Sequence, residues 1–186
     1  MTAMDDWAND LTKLWDFCWQ KLGRGAADAK SPLHRPVLAT VGLGGGAEAR
    51  TLVLRGASPS ARTLELHTDT ASTKVSELRA TPLASLLFWD PKSDLQLRAR
   101  VHVQIDEDTD GLWSRLSDGA RSNYGGTPPT GAPILSPDAY DKTPQPDRLT
   151  RLVCHLQSLD VVHLGPEHRR ALYARDADFT GQWLAP

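Results

Sequence analysis

Near the start of the chain, Trp7, Leu11, Leu14, Trp15, Cys18 and Leu22 recur at spacings of three and four. That period predicts an amphipathic helix over 5–22, capped by Asp5 or Asp6 and stopped by Gly23. Trp7, Trp15 and Trp19 give its buried stripe an aromatic character suited to packing against a core. Residues 23–36 are a linker rich in small residues, proline and basic side chains. From there the apolar period shortens to two. Strands are predicted over 37–41, 50–55 and 63–68, with Arg50 and Arg55 at the ends of the second and on opposite faces. Between the first two runs, Gly42-Leu43-Gly44-Gly45-Gly46-Ala47 formally fits G-x-G-x-x-A. A dinucleotide fingerprint needs a helix next, and here a strand follows, so the glycines read as a hairpin loop.

Residues 72–80 read as a short helix with Val75 and Leu78 inward, ended by Thr81-Pro82. The apolar run 83–89 predicts a strand buried on both faces. Leu95, Leu97, Ala99, Val101, Val103 and Ile105 alternate with Gln96, Arg98, Arg100, His102 and Gln104, which makes a strand with one polar face. A helix is predicted over 106–121, capped by Asp108 or Thr109, with Leu112, Trp113 and Leu116 inward. Pro128, Pro129, Pro133, Pro137, Pro144 and Pro146 then forbid regular structure over 122–147. Residues 151–164 give one or two strands, 166–170 a turn, and 171–175 and 182–184 short closing strands. Many strands with few helices predict a mainly β (α+β) fold, an antiparallel barrel with peripheral helices and an N-terminal amphipathic helix.

A chain of 186 residues is expected to form a single domain over 1–186, with the helix and linker in 1–30. A formal charge of −2 gives no basic excess for nucleic acid. No apolar run reaches the roughly 18 residues of a membrane helix, and the N-terminus lacks a signal pattern. Cys18 and Cys154 have neither motif spacing nor a framework, which suits a cytoplasmic protein with reduced, buried thiols. The histidines show no metal-ligand spacing, and no G-x-S-x-G nucleophile motif occurs.

Several pieces in fixed order resemble the pyridoxamine 5'-phosphate oxidase-like family of FMN-binding split β-barrels. They are the Arg-bracketed run Arg50-Thr51-Leu52-Val53-Leu54-Arg55, His67-Thr68, and Ser72-Thr73-Lys74. Leu86-Leu87-Phe88 with Gln96 follows, then the tail His168-Arg169-Arg170-Ala171-Leu172-Tyr173 and the closing Leu184-Ala185-Pro186. The resemblance covers about residues 33–186. It implies an FMN cofactor and a homodimer with FMN at the subunit interface. In that picture Arg50 and Lys74 hold the flavin phosphate, and Ser72 and Thr73 add hydroxyls and helix-start amides. Thr51, Leu52, Val53 and Leu54 lie along the flavin, with Arg55 at the substrate side. His67, Thr68 and Gln96 stand at flavin-contacting positions, and His168 and Arg170 reach across from the other subunit.

Departures from the family pattern fall mainly on the substrate side. Thr73 stands where the biosynthetic oxidases carry Arg, Arg55 replaces a Lys, and Pro166 takes roughly the place of a substrate-binding Arg. The Tyr, Arg and Ser expected after Gln96 have no clear counterparts; Trp113, Arg115 and Arg121 are only loose substitutes. The resemblance therefore implies an FMN-dependent oxidoreductase acting on a small molecule, with an altered substrate site and no side chain demanded as acid or base. The rival readings are a flavin-binding or sensing module without robust turnover, and a relative using a deazaflavin or haem.

Overall fold

The computed structural model describes residues 6–186. Its first long element, α1 (Leu11–Ala27), lies further along the chain than the expected 5–22. Asp10 sets the start, its carboxylate accepting from the Lys13 amide at 2.9 Å, a cap of about 1 kcal/mol. Asp5 lies outside the described residues, and Asp6 opens a separate 3-10 turn, Asp6–Asn9. Gly23 does not stop the helix. The helix runs on through Gly25, where an added Cβ would stand 3.0 Å from the Leu33 Cβ. A helical glycine costs about 1 kcal/mol relative to alanine. The close approach of Leu33, fully buried on the turn Pro32–His34, offsets that cost.

The strands follow in chain order: β1 (Val37–Val41), β2 (Ala47–Thr51), β3 (Leu54–Ser58) and β4 (Thr63–Asp69). After helix α2 (Thr73–Ala80) come β5 (Leu83–Asp90) and β6 (Leu95–Asp106). Two single turns, α3 (Asp110–Trp113) and α4 (Asp118–Arg121), precede β7 (Leu149–His163), β8 (Arg169–Ala174) and β9 (Gly181–Leu184). The glycine loop is a hairpin joining antiparallel β1 and β2, with Gly45 at φ +87°, a conformation that glycine adopts without strain.

The expected strand over 50–55 is broken. β2 ends at Thr51 and β3 begins at Leu54: the Leu52 amide donates to the Pro36 carbonyl at 3.0 Å, one step beyond the Val37–Thr51 pair, but Pro36 has no amide to return and the ladder stops there. The break has an architectural meaning. The strand order is β2-β1-β5-β6-β7-β4-β3, so β2 and β3 are opposite ends of the sheet, and Leu52-Val53 carries the chain between them. The sheet is curled but open at this seam, an antiparallel split barrel with few helices.

β7 is one 15-residue strand. It pairs with β6 on one side, while on the other its first half takes β4 and its second half β8. The change of partner falls near Gln157, an extra residue between Leu156 and Ser158 opposite Arg100-Val101. A bulge bends a strand and increases its local twist, which directs the β8–β9 branch away from the β4–β3 branch.

Two further expectations change. Residues 106–121 do not form one helix; Ser117 starts a new turn by accepting from the Ala120 amide. β5 is not buried on both faces. Leu86 and Phe88 face the core, while Leu83, Leu87 and Trp89 remain 52, 41 and 43% exposed, since no layer covers them. The core lies inside the curl. Leu95, Leu97, Ala99, Val101 and Val103 of β6 meet Leu14, Cys18, Trp19 and Leu22 of α1 in one cluster. Tyr173 seals the helix against β8, its hydroxyl donating to the Leu11 carbonyl at 2.6 Å.

Candidate functional site

The seam between β2 and β3 opens into a cleft of about 500 Å³. Thr51, Leu52, Val53 and Arg55 form one wall, and His67 and Thr68 of β4 with Ser72 and Lys74 at the start of α2 form another. A neighbouring hollow of about 380 Å³ shares Ser72 and Lys74 and adds Arg50 and Thr73. The broken strand is what frees this wall. The Leu52 amide is taken by the Pro36 carbonyl, but Val53 lies outside both strands, and its backbone is available to a ligand. Leu54 differs: its side chain is fully buried in the core, it pairs with Leu66 of β4, and it does not line the cleft. Arg55 is the extra residue of a bulge between β3 and β4, where Leu54 pairs with Leu66 and Gly56 with Glu65. Bulges re-aim side chains, and this one brings Arg55 into the cleft lining.

The charge balance is that of an anion receptor. Lys74 donates to the Thr68 hydroxyl at 3.2 Å and makes no ion pair among the described residues. Burial, followed by the nearby Arg50 charge, pulls its ammonium below the usual lysine range against the opposing pull of Asp69 and Glu77. Arg50 is anchored differently. It donates to Glu77 at 2.8 Å and to the Thr40 hydroxyl, which itself donates to Glu77 at 2.6 Å. Glu77 is buried, so Arg50 reaches the hollow as a positioned, partly compensated donor rather than a free charge.

Around them, Ser72 stands at the N-cap of α2, but its hydroxyl donates to the Asp69 carbonyl instead of capping. The amides of Thr73 and Lys74, in the first helical turn, have no intrahelical partner. His67 lies with its side chain 5% exposed, Nε2 against Glu65 at 2.8 Å. Its Nδ1 is buried without a partner. Burial depresses its pKa, against the hydrogen bond and charge of Glu65. Open amides and an ammonium without a carboxylate of its own fit a bound polar anion, while the orphaned Nδ1, an acceptor when Nε2 donates to Glu65, calls for a donor instead.

Residues not expected from the sequence complete the cleft. Arg35, following the turn Pro32–His34, lines it, as do Asn123, Tyr124 and Thr130 of the irregular loop 122–147. Tyr124 is buried, and burial raises its phenol pKa even though Arg55 bonds to it. No spacing rule reaches these loop residues. The one available signal was a lone aromatic, Tyr124, directly before Gly125-Gly126. Trp113, a loose substitute on the sequence reading, packs on Tyr124 with ring centroids 6.4 Å apart.

Gln96, His168 and Arg170 do not line the cleft. Gln96 and Arg170 both flank Val162 in one cross-strand row that also holds Trp89 and Leu184. That row lies on the outward face of the sheet. Arg170 donates to the Asp160 carboxylate at 2.8 and 3.0 Å, and Arg98 donates to the same carboxylate. Burial works to raise the Asp160 pKa, but these hydrogen bonds override it and hold the carboxyl below its usual range. His168 is exposed in the turn before β8.

An open antiparallel split barrel whose seam carries a cation-lined cleft defines a class of ligand-binding proteins. Residues 15–106 match the family described as pyridoxamine 5'-phosphate oxidase, FMN-binding domain. The chain is 31% identical over 90 residues to a pyridoxine/pyridoxamine 5'-phosphate oxidase 2 of Arabidopsis thaliana. It is 34% identical over 105 residues to a pyridoxine/pyridoxamine 5'-phosphate oxidase of Acinetobacter baumannii. These alignments cover 47 and 53% of this chain, and the chain spans about half the length of those relatives, 46 and 47%. The fold likeness is broader. A pyridoxamine 5'-phosphate oxidase-related, FMN binding protein of Nostoc punctiforme superposes with a TM-score of 0.74 at 24% identity, over 92% of this chain and 97% of its own. PhzG of Burkholderia lata, solved with tetrahydrophenazine-1-carboxylic acid, gives 0.72 at 18% identity, over 95 and 92%. The chain belongs to the pyridoxamine 5'-phosphate oxidase-like, FMN-binding split-barrel family. Among the described residues, no helix is long and apolar enough to cross a membrane.

Proposed function

We propose that the protein is an FMN-dependent oxidoreductase of the cytoplasm, a single-domain subunit working as a homodimer on a small molecule. One observation carries this reading: Lys74 and Arg50 stand together at the first turn of α2, Lys74 without a carboxylate partner, beside a cleft of about 500 Å³. A phosphate monoester with a charge near −2 suits that place. Ser72, Thr73 and the open amides complete the anion site, and Arg50 supplies a donor held in position by Glu77. Thr51, Leu52 and Val53 border the flavin, with His67 and Thr68 opposite.

Held by Lys74, Arg50 and the start of α2, FMN would supply hydride-transfer and electron-carrying chemistry at this cleft. The protein's own work is to hold the cofactor, exclude water and orient the substrate. Arg55 and Tyr124 stand where an anionic or hydroxylated substrate would meet them. Gln96 and Arg170 belong to the outward sheet face and His168 to the exposed turn before β8, and a second copy packed on that side would bring them toward its partner's cleft. Exposed Leu83, Leu87 and Trp89 on β5 support such packing.

The test is direct. The purified protein should be yellow, with flavin bands near ~450 and ~370 nm. Stripped protein should take up FMN stoichiometrically. A colourless protein that ignores added FMN would overturn the reading.

A further inference from the structure

Loop 122–147 contributes more than a wall to the cleft. It encloses a second cavity of about 410 Å³, within the size range of small-molecule sites. Asn123 and Thr130 line both cavities, so the two share a boundary. The loop is braced. Thr127 and Asp141 exchange backbone hydrogen bonds at 3.1 and 2.8 Å across the hollow. At the neck, Gly125 lies at φ +109°, and an added Cβ would stand 2.6 Å from the Gln145 nitrogen. Only glycine fits there.

The lining has a definite chemistry. Pro128, Pro129, Ile134 and Tyr140 present rigid or flat apolar surface, and Ile134 and Tyr140 remain 43 and 41% exposed. One cation stands among them. The Lys142 ammonium lies 5.0 Å from the Tyr140 ring centroid and makes no ion pair among the described residues. Asp141 does not serve it, since that carboxylate accepts from the Thr143 amide and hydroxyl at 2.8–3.0 Å. The Tyr140 side chain is the first group acting on Lys142, by hydrogen bond and charge, and Asp138 acts more weakly.

We propose that this loop cavity is a substrate subsite for a ring-bearing organic carboxylic acid, its ring against Pro128, Pro129, Ile134 and Tyr140 and its carboxylate on Lys142. The reacting part of the molecule then extends past Asn123 and Thr130 into the cleft. The role as a substrate subsite rests on the flavin reading; the preference for ring acids does not.

The probes are 2-naphthoate and its neutral counterpart 2-naphthylmethanol, titrated calorimetrically into the full-length protein with and without added FMN. The wild type should bind naphthoate at least tenfold more tightly than the alcohol, with or without flavin. Lys142→Met, at an exposed position, should erase that preference while leaving the alcohol's affinity and the thermal midpoint unchanged. Ile134→Asp should weaken both probes. Equal affinity for the two probes in the wild type, or a preference surviving Lys142→Met, would overturn the proposal. In FMN-loaded protein, naphthoate should also shift the flavin absorption. Lys142-dependent binding that leaves the flavin spectrum untouched would refute the substrate role. A failure of the flavin reading is seen separately, as absent FMN uptake with naphthoate binding intact.

Discussion

Asp69 and Arg148 are 79 residues apart in sequence and joined by two hydrogen bonds, from Nε and Nη2 of the arginine to one carboxylate oxygen at 3.0 and 2.7 Å. The other oxygen accepts from the Gly125 amide at 2.9 Å. One buried carboxylate at the end of β4 therefore holds both ends of the loop that walls the cleft. Asp69→Asn keeps the shape and removes the charge, leaving Arg148 poorly compensated. Breaking a buried pair on one side costs about 3 kcal/mol. The expected result is a folded protein with a lowered urea midpoint and faster proteolytic nicking within 125–147. Unchanged nicking would show that the clamp does not hold the loop.

Lys74→Ala and Arg50→Ala should each weaken FMN binding more than tenfold, because each removes a charge-assisted contact of roughly 1.5–3 kcal/mol. The two variants should differ in stability. Lys74→Ala leaves no buried charge behind, whereas Arg50→Ala strands Glu77 and should destabilise the fold by about 3 kcal/mol. Flavin titration and denaturant unfolding on the same samples check both halves, and unchanged affinity in both variants would remove the site assignment.

Alkaline pH offers an independent check on Lys74. Its folded pKa lies below the usual 10.5 because of burial and then Arg50. The phosphate needs the charged ammonium, so FMN affinity should fall as pH rises through the depressed value. In the flavin-free protein the sign reverses. Between the depressed value and 10.5 the unfolded chain binds more protons than the folded one, so the Lys74 contribution to stability rises with pH. Comparison with Lys74→Met isolates both effects from other alkaline titrations. A flavin affinity as pH-dependent in Lys74→Met as in the wild type would rule this group out.

The holo-protein should be a dimer by light scattering. Leu87→Asp or Trp89→Asp on the outward face should yield monomers that bind FMN poorly while keeping their circular dichroism. Mixing Lys74→Ala subunits with Arg170→Ala subunits should regenerate one intact site per heterodimer. A mixture no better than either parent would exclude a shared site.

Turnover of pyridoxamine 5'-phosphate should be slight or absent, given Thr73, Pro166 and a cleft whose loop-side polar groups are Asn123, Tyr124 and Thr130, facing Arg55 of β3. Steady peroxide release with that substrate would contradict this.

How far the sequence foretold these features varied with the physics of each segment. β6 was plain because one of its faces is wholly buried, so Leu95 to Val103 alternate without a break. α2 and its Ser72-Thr73-Lys74 start were equally clear. The first helix was displaced because a cap is a local hydrogen bond, and Asp5, Asp6 and Asp10 are chemically alike. The break at Leu52-Val53 was hidden, since apolar alternation continues through it while the ladder stops only because Pro36, opposite Leu52, has no amide to donate. β5 looked doubly buried because a face awaiting a partner has the composition of a core. Arg35 and Tyr124 were invisible as site residues, their place depending on contacts distant in sequence.

The clamp at Asp69 has a consequence for how such a protein can change. Because the loop enters at Gly125 and leaves at Arg148 beside the same carboxylate, its two ends are fixed to the barrel whatever lies between them. Lengthening such a segment costs little in closure entropy, roughly 0.6 kcal/mol per doubling. The stretch 126–144 is thus an exchangeable cassette. Segments of different length and lining can be grafted there, altering which molecules approach the cleft while the strands that hold its floor stay as they are.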